Sequence, residues 1–301
     1  MPLFNDNSVK EILEQLLAFR EERGWGQFHS PKNLAVSISI YSKSLMVLFV
    51  LLAITTNTAG GTSPFNLPPN GESLIQKIKV NGFSDEEVQK IFSDSRVTLC
   101  PEILDKKGHG INYMHKKFGL LTRTSVKRGQ KVLQENRLVF EAIENQYGVE
   151  KETIVAIYRL ETNLGSYGGR YLVFNGLLTL AVLENRRSAW AEKELLNLLT
   201  FCKNNKKDPL SIKGSWAGAF GLCQFIPSSV IQYAIDGDGN GEINLNNFSD
   251  AMASIANYLK SNGWVKNDLQ KKKQAIWAYN HCDNYVKSVL AYAGACKKFN
   301  R

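Results

Sequence analysis

Apolar residues recur at helical spacing through most of the chain from about residue 72 onward, and strictly alternating runs typical of strands are few. The pattern predicts helices over residues 128–147, 151–162, 191–202, 250–262, 270–279 and 283–295. A further helix is predicted to begin after Ser84, because a capping side chain is followed there by three acids. Gly148 is predicted to end the helix before it. The sequence therefore indicates a mainly helical protein.

The first seventy residues have a different pattern. Residues 45–54 form an unbroken apolar run, which is shorter than the roughly 20 residues that span a bilayer and matches a signal-peptide core. A buried core helix is the alternative interpretation. We therefore predict a signal-peptide-like segment over 45–60, a linker rich in Gly and Pro over 61–71, and a folded domain over 72–301.

The leader, residues 1–44, contains a stretch over 17–35 that resembles the opening of MazG-like nucleotide pyrophosphohydrolases. In that family, glutamates on the next helix segment hold magnesium. Residues 40–44 read Ile-Tyr-Ser-Lys-Ser and offer no carboxylate, the ligand that magnesium prefers. We therefore interpret the leader as a non-functional fragment, and pyrophosphatase activity is excluded for it.

The amino-acid composition limits the kinds of molecule that this protein is expected to bind. The 301 residues are 44% apolar and 22% charged, with a formal net charge of +9, which suits an acidic polymer or an anionic surface. The basic residues are scattered, whereas a nucleic-acid groove shows a dense stripe, so no nucleic-acid partner is expected. The five cysteines show no C-x-x-C spacing, which argues against a thiolate metal site and favours buried cysteines, with one disulfide as the alternative.

A glutamate lies on the apolar stripe of the helix predicted over 151–162. Ile154, Ile157, Tyr158 and Glu161 follow the i, i+3, i+4, i+7 spacing that places them on one face. Burial raises the pKa of a carboxyl group, and a raised pKa is what a general acid needs near neutral pH. A helix-end glutamate paired with an arginine is the alternative interpretation.

Small residues, aromatics and hydroxyls are interleaved over residues 214–229. Such a surface suits sugars, whose apolar faces stack on rings and whose hydroxyls need fixed donors and acceptors. Tight helix packing also uses small residues and remains the alternative. Near the C-terminus, Asn280 either caps a helix or faces a cleft.

The segment from residue 236 matches the start of an EF-hand calcium loop, with oxygen ligands at positions 1, 3 and 5 and Gly at position 6. Position 12 is Asn247 instead of the usual Glu, and a carboxylate follows three residues later. The predicted ligands are Asp236, Asp238, Asn240, Glu242 and Asp250. A sodium site or a metal-free acidic turn is the alternative.

Taken in order, these stretches resemble the membrane-bound lytic murein transglycosylase B family, glycoside hydrolase family 103, over residues 75–297. The shared series is E-T-x-x-G, a pair of arginines, a Gly-Ser-Ala-rich segment ending Q-F-x-P-S-S, the D-x-D-x-N-G loop and Y-N-H. The resemblance implies a lysozyme-like core of the goose-type lysozyme and soluble-transglycosylase kind, with an added helical subdomain and an EF-hand-like loop.

The resemblance also implies which residues form the catalytic and substrate-binding site. Glu161 falls on the family's catalytic acid. The implied substrate-binding residues are Arg186, Arg187, Ser215, Gln224, Tyr258, Tyr279, Asn280 and Tyr285. The resemblance further implies that catalysis needs no cofactor. It also implies that the acidic loop holds a structural Ca²⁺, with Na⁺ as the alternative.

The implied reaction cleaves the β-1,4 bond between N-acetylmuramic acid and N-acetylglucosamine and leaves 1,6-anhydromuramic acid ends. A lysozyme-type muramidase and a non-catalytic peptidoglycan-binding protein are the alternatives. The expected partner is the peptidoglycan glycan strand, and the expected location is the periplasm or cell envelope. We expect a monomer whose membrane contact is confined to the apolar segment.

Overall fold

The computed structural model describes residues 67–68, 70–106 and 112–298, which form a compact unit within Ser63–Arg301. The predicted leader, signal-peptide-like segment and most of the linker lie outside these residues. The helices are α1 (Asn70–Val80), α2 (Asp85–Phe92), α3 (Arg123–Glu135), α4 (Arg137–Tyr147), α5 (Lys151–Thr162), α6 (Val173–Val182), α7 (Ser188–Asn204), α8 (Pro227–Tyr233), α9 (Phe248–Ser261), α10 (Leu269–Tyr279) and α11 (Asp283–Lys298). None of these helices combines the length and apolar character needed to cross a membrane. The predicted mainly helical class is confirmed.

Local sequence accounts for several helix ends. Ser84 caps α2, as the sequence predicts, and the structure adds a complete capping box with Glu87. Gly148 ends α4 in the left-handed conformation, at φ +66°. Helix α5 has the predicted bounds, and the next residue, Asn163, is its C-cap in the left-handed conformation, at φ +53°.

The prediction of one helix over 128–147 is wrong, because the helix is interrupted at Asn136, which separates α3 from α4. The Asn136 side chain donates to the Val132 carbonyl oxygen at 3.0 Å. The Asn136 backbone N–H donates to the same oxygen at 3.1 Å, and the break lies in the Asn136 backbone, at φ −112° and ψ 30°. The apolar spacing continues through the break, so periodicity alone does not reveal it.

Helix α6 has no predicted counterpart. All ten of its residues are buried, so it has no polar face and no amphipathic period. It packs against α7 and against α1.

Helix α5 lies among other helices: it packs against α3, α4, α9 and α11. Nine of its twelve residues are buried, including the fully buried Ile154 and Ile157 of the predicted stripe. Apolar burial on this scale holds the helix in place, since each fully buried large aliphatic side chain contributes roughly 1.5–3 kcal/mol. The residue at its C-terminal end is therefore presented from a rigid support.

A short antiparallel pair joins the chain after α5 to the segment before α8. Strand β1 (Tyr171–Leu172) pairs with β2 (Lys213–Gly214). Gly169, at φ +87°, approaches so closely that an added Cβ would lie 2.1 Å from the Gly214 carbonyl carbon. Only glycine fits this approach. The pair brings the small-residue segment over 214–225 next to the end of α5.

Candidate active site

Glu161 receives a hydrogen bond from a residue far away in the sequence. The Tyr285 hydroxyl, on α11, donates to Glu161 Oε1 at 2.6 Å. Tyr285 is fully buried, whereas Glu161 keeps part of its surface exposed. The carboxyl group of this half-buried residue is therefore held by a rigid donor.

The surroundings of Glu161 change its acidity. Burial raises its pKa from 4.5 to about 7, and the Tyr285 hydrogen bond opposes part of this rise. Desolvation disfavours the charged form, whereas a donor to the carboxylate favours it. A group with a pKa near 7 can both donate and accept a proton at neutral pH. The alternative of a helix-end glutamate paired with an arginine does not hold, because no ion pair of the described residues includes Glu161.

Tyrosine rings form a wall beside the acid. Tyr279 stacks parallel to Tyr285, with ring centroids 6.3 Å apart and planes 8° from parallel. Tyr258 meets Tyr279 at 4.8 Å, and burial raises the pKa of Tyr258 to about 12. The Tyr279 hydroxyl donates to the Cys223 carbonyl oxygen at 2.5 Å. The three tyrosines predicted for the substrate site therefore lie in one contiguous group with Glu161.

Tyr113 belongs to the same group, and the sequence did not reveal it. Its ring meets Tyr285 edge-on at 5.7 Å. Burial raises the pKa of Tyr113 well above its ordinary value, and the nearby Glu161 charge adds to the rise. Tyr113 lies in a turn outside the helices, where no spacing pattern marks a functional side chain.

The segment over 214–225 lies next to the end of α5 through Thr162. The buried Thr162 hydroxyl shares its one proton between the Tyr158 carbonyl oxygen at 3.2 Å and the Leu222 carbonyl oxygen at 3.4 Å. It also accepts from the Gly165 backbone N–H at 3.1 Å. One side chain thus joins the end of the glutamate helix to the segment that carries Cys223.

Ser215 and Gln224 lie in this segment, and their hydrogen bonds stay within it. The Ser215 hydroxyl accepts from the Ala219 backbone N–H at 3.0 Å. Gln224 Nε2 donates to the Gly221 carbonyl oxygen at 2.9 Å, and the Gln224 backbone is left-handed at φ +48°. The positive φ is unusual for a side-chain-bearing residue and is a feature of functional sites.

Arg186 and Arg187 line a separate cavity of about 480 Å³ together with Lys106 and Trp216. The Arg187 guanidinium lies over the Trp216 ring, 5.1 Å from its centroid. Three cations in one cavity favour an anionic group. Asn280 follows α10 as its C-terminal cap, between Tyr279 and the start of α11, and its backbone is extended.

The acidic segment over 236–250 follows α8 and runs into the first turn of α9, which contains Asp250. Carboxylate oxygens of Asp236, Asp238 and Asp250 lie within 4.8 Å of one another. Asp236 accepts backbone N–H bonds from residues 239–241, and these bonds lower its pKa. Asp250 is fully buried and accepts from the Gly237 and Asn244 backbone N–H groups at 2.9 and 2.7 Å.

The other two predicted metal ligands lie on the outer part of the same segment. The Asn240 side-chain oxygen accepts from the Glu242 backbone N–H at 2.8 Å. The Glu242 side chain is 76% exposed and lies 3.8 Å from Lys207, so it is directed away from the carboxylate group. Glu242 is position 7 of the loop, where an EF-hand uses the backbone carbonyl oxygen, and this position of the side chain does not affect that oxygen.

All five cysteines lie in the described residues, and none is disulfide-bonded. Three are buried and two are half-buried.

Comparison with known proteins links this site to a family. The profile of the Transglycosylase SLT domain matches residues 68–273. The membrane-bound lytic murein transglycosylase B of Escherichia coli K12 is 34% identical over 215 residues, which are 66% of this chain and 59% of that protein. The chain therefore matches less than two thirds of that relative's length.

Solved structures show the same architecture. The Escherichia coli lytic transglycosylase SLT35 in complex with calcium superposes with a TM-score of 0.72 at 26% identity, covering 79% of this chain and 95% of that one. The soluble lytic transglycosylase SltB1 of Pseudomonas aeruginosa gives a TM-score of 0.70 at 25% identity, covering 77% and 99%. The lysozyme-like fold expected from the sequence is thereby confirmed. Since the family profile covers most of the described residues, including Glu161, the chain belongs to the Transglycosylase SLT domain family.

Proposed function

We propose that this protein is a peptidoglycan lytic transglycosylase that cleaves the β-1,4 bond between N-acetylmuramic acid and N-acetylglucosamine. The observation that carries the proposal is the carboxyl group of the half-buried residue Glu161, whose pKa is raised to about 7 by burial beside a wall of tyrosines. The three relatives named above, all lytic transglycosylases by name, support the assignment.

The reaction uses one carboxyl group twice. Neutral Glu161 gives its proton to the glycosidic oxygen, and the bond from that oxygen to the muramic C1 breaks. The muramic acetamido group stabilises C1 while the positive charge develops. The Glu161 carboxylate then takes the proton of the same sugar's 6-hydroxyl, and the O6–C1 bond closes the 1,6-anhydro ring. Glu161 ends the cycle protonated, and no water is consumed.

The electrostatics of the site favour this one-acid scheme. Ordinary glycosidases place two carboxyl groups about 5–10 Å apart. Burial and the Tyr285 hydroxyl account for the shifted pKa of Glu161, and no second carboxylate of the described residues contributes. A lysozyme-type muramidase is the second candidate, because the same acid serves a hydrolysis in which water replaces the 6-hydroxyl.

Neighbouring groups supply substrate contacts. The half-buried rings of Tyr258 and Tyr279 offer apolar faces to the sugar rings. Ser215, Gln224 and Asn280 offer hydroxyl and amide groups for the acetamido and hydroxyl substituents. The cavity with Arg186 and Arg187 suits the carboxylates of the lactyl group and peptide stem.

The test is turnover of purified peptidoglycan sacculi by Glu161→Gln. We expect it to bind sacculi as the wild type does, and to lose about 10²–10⁴-fold in rate, the contribution of general acid–base catalysis. Mass spectrometry of the wild-type products separates the two enzyme candidates, since anhydro ends are lighter by one water, about 18 mass units. Normal turnover by the variant would refute catalysis by Glu161, and products without anhydro ends would support the muramidase.

We also propose that the acidic segment holds a structural Ca²⁺. The donors there are carboxylate and amide oxygens, the ligands that Ca²⁺ takes. Three carboxylates converge within 4.8 Å, and a cation relieves their repulsion. The calcium complex of SLT35 supports the assignment.

The proposed substrate places the protein in the cell envelope, and the membrane-bound relative supports that location. We propose that it acts there as a monomer, with membrane contact through the apolar segment over 45–54. N-terminal sequencing of the mature protein tests whether that segment is removed.

A further inference from the structure

Trp277 is exposed on the outer side of the molecule, away from the tyrosine wall. It is 45% exposed, whereas Trp264, in the loop before the same helix, is 2% exposed. Trp277 and Tyr279 are two residues apart on α10, about 200° around the helix axis. The two side chains therefore face different surfaces, and Trp277 does not belong to the site of Glu161.

A hollow of about 410 Å³ lies at Trp277, between α10 and α11. Val286 and Leu290 of α11 form its apolar part. The His281 ring meets the Trp277 ring edge-on at 4.1 Å. This contact holds the indole in place, so that a broad aromatic face is presented without the loss of side-chain freedom that a mobile ring suffers on binding.

Polar groups surround this aromatic surface. Lys273 and Gln274 of α10, and Asp283 and Lys287 of α11, complete the lining. Lys273 and Lys287 are exposed, and neither takes part in an ion pair of the described residues. The hollow thus combines a fixed ring, two free cations and hydrogen-bonding side chains.

We propose that this hollow is a second glycan site, which binds a peptidoglycan strand outside the cleavage site and holds the enzyme on its substrate. A sugar ring stacks on Trp277, the acetamido methyl group packs on Val286 and Leu290, and the carboxylates of the lactyl group or peptide stem pair with the lysines. The identity of the ligand rests on the proposed function. The position of the site rests on Trp277 and its surroundings.

The test measures binding of the full protein to purified sacculi by co-sedimentation. Every protein in the series carries Glu161→Gln, so that the sacculi are not degraded during the measurement. Trp277→Ala is expected to weaken binding about three- to tenfold, the equivalent of one lost aromatic contact. Trp277→Phe keeps a ring and is expected to retain most of the affinity. Leu269→Ala is the matched control, because it removes an exposed apolar side chain of the same helix, 56% exposed, outside the hollow.

A second measurement tests the cations. Binding is expected to weaken as salt is raised, and Lys287→Gln is expected to reduce that salt dependence. In a wild-type background, Trp277→Ala is expected to cleave short soluble fragments at the normal rate and sacculi more slowly.

The outcomes separate the two proposals. Equal binding by Trp277→Ala and its parent overturns the second site, and so does an equal loss in Trp277→Ala and Leu269→Ala. Absence of anhydro products from the wild type instead overturns the proposed reaction, whatever the binding series shows.

Discussion

Replacing Tyr285 by Phe removes the hydroxyl that donates to Glu161 at 2.6 Å and leaves the buried ring in place. The ring still stacks on Tyr279, so the wall beside the acid is preserved. The hydroxyl lowers the pKa of Glu161 against the effect of burial. Without it, we expect that pKa to rise further above about 7.

The size of the rise follows from the hydrogen bond. A bond to a charged group contributes about 1.5–3 kcal/mol and a bond to a neutral group about 0.5–1.5 kcal/mol. The hydroxyl therefore favours the carboxylate over the neutral acid by about 1–1.5 kcal/mol. This difference corresponds to about one pKa unit.

The assay is the pH dependence of kcat/KM on soluble peptidoglycan fragments. Glu161 must be protonated to act as the acid, so activity falls as pH rises through its pKa. In Tyr285→Phe we expect this falling limb to move to higher pH by about one unit. Tyr292→Phe is the control, because that buried hydroxyl donates to the Ser125 carbonyl oxygen at 2.6 Å instead of to the acid. A limb that stays in place, or moves equally in both variants, would refute the reasoning.

Three further predictions follow from the same structure. Because folding raises the pKa of Glu161 from 4.5 to about 7, the folded state is favoured below pH about 4.5 and loses that advantage as pH rises through about 7. Glu161→Gln should therefore be more stable than the wild type at pH 8, by at most about 3 kcal/mol, and no more stable at pH 4 in urea titrations. Thr162→Val should lower the free energy of unfolding by about 1–3 kcal/mol, because it leaves the Gly165 N–H without its partner, whereas Thr162→Ser should retain most of it; equal losses would contradict the role of the hydroxyl. Chelation of Ca²⁺ should lower the melting temperature of the wild type, and Asp238→Asn should weaken calcium binding in calorimetric titration, whereas Asp268→Asn, at the exposed cap of α10, should not.

Local features of the helices could be predicted from the sequence. The bounds of α5, the capping box at Ser84 and the glycine stop at residue 148 depend on residues within a few positions of one another. The stripe that carries Glu161 is also local, since about two helix turns bring its members together. The order of the motifs, which marks the family, is likewise a property of the sequence alone.

Two regions show where hydrophobic periodicity is not enough to predict the helices. Helix α6 is buried all round, and its sequence carries no polar face to reveal its orientation. The break at Asn136 is a departure of one residue from helical backbone angles, at φ −112° and ψ 30°, and the apolar spacing is the same on both sides of it.

The chemistry of the site was decided by the tertiary structure. Glu161 and its donor Tyr285 are 124 residues apart, and Tyr113 joins them from a turn without a pattern. The arginine pair, adjacent in the sequence, lines a cavity with Trp216. A sequence determines which residue types stand at helical spacing, because that depends on near neighbours. The pKa of a carboxyl group depends on the water excluded by distant segments, and that exclusion exists only once the helices have packed.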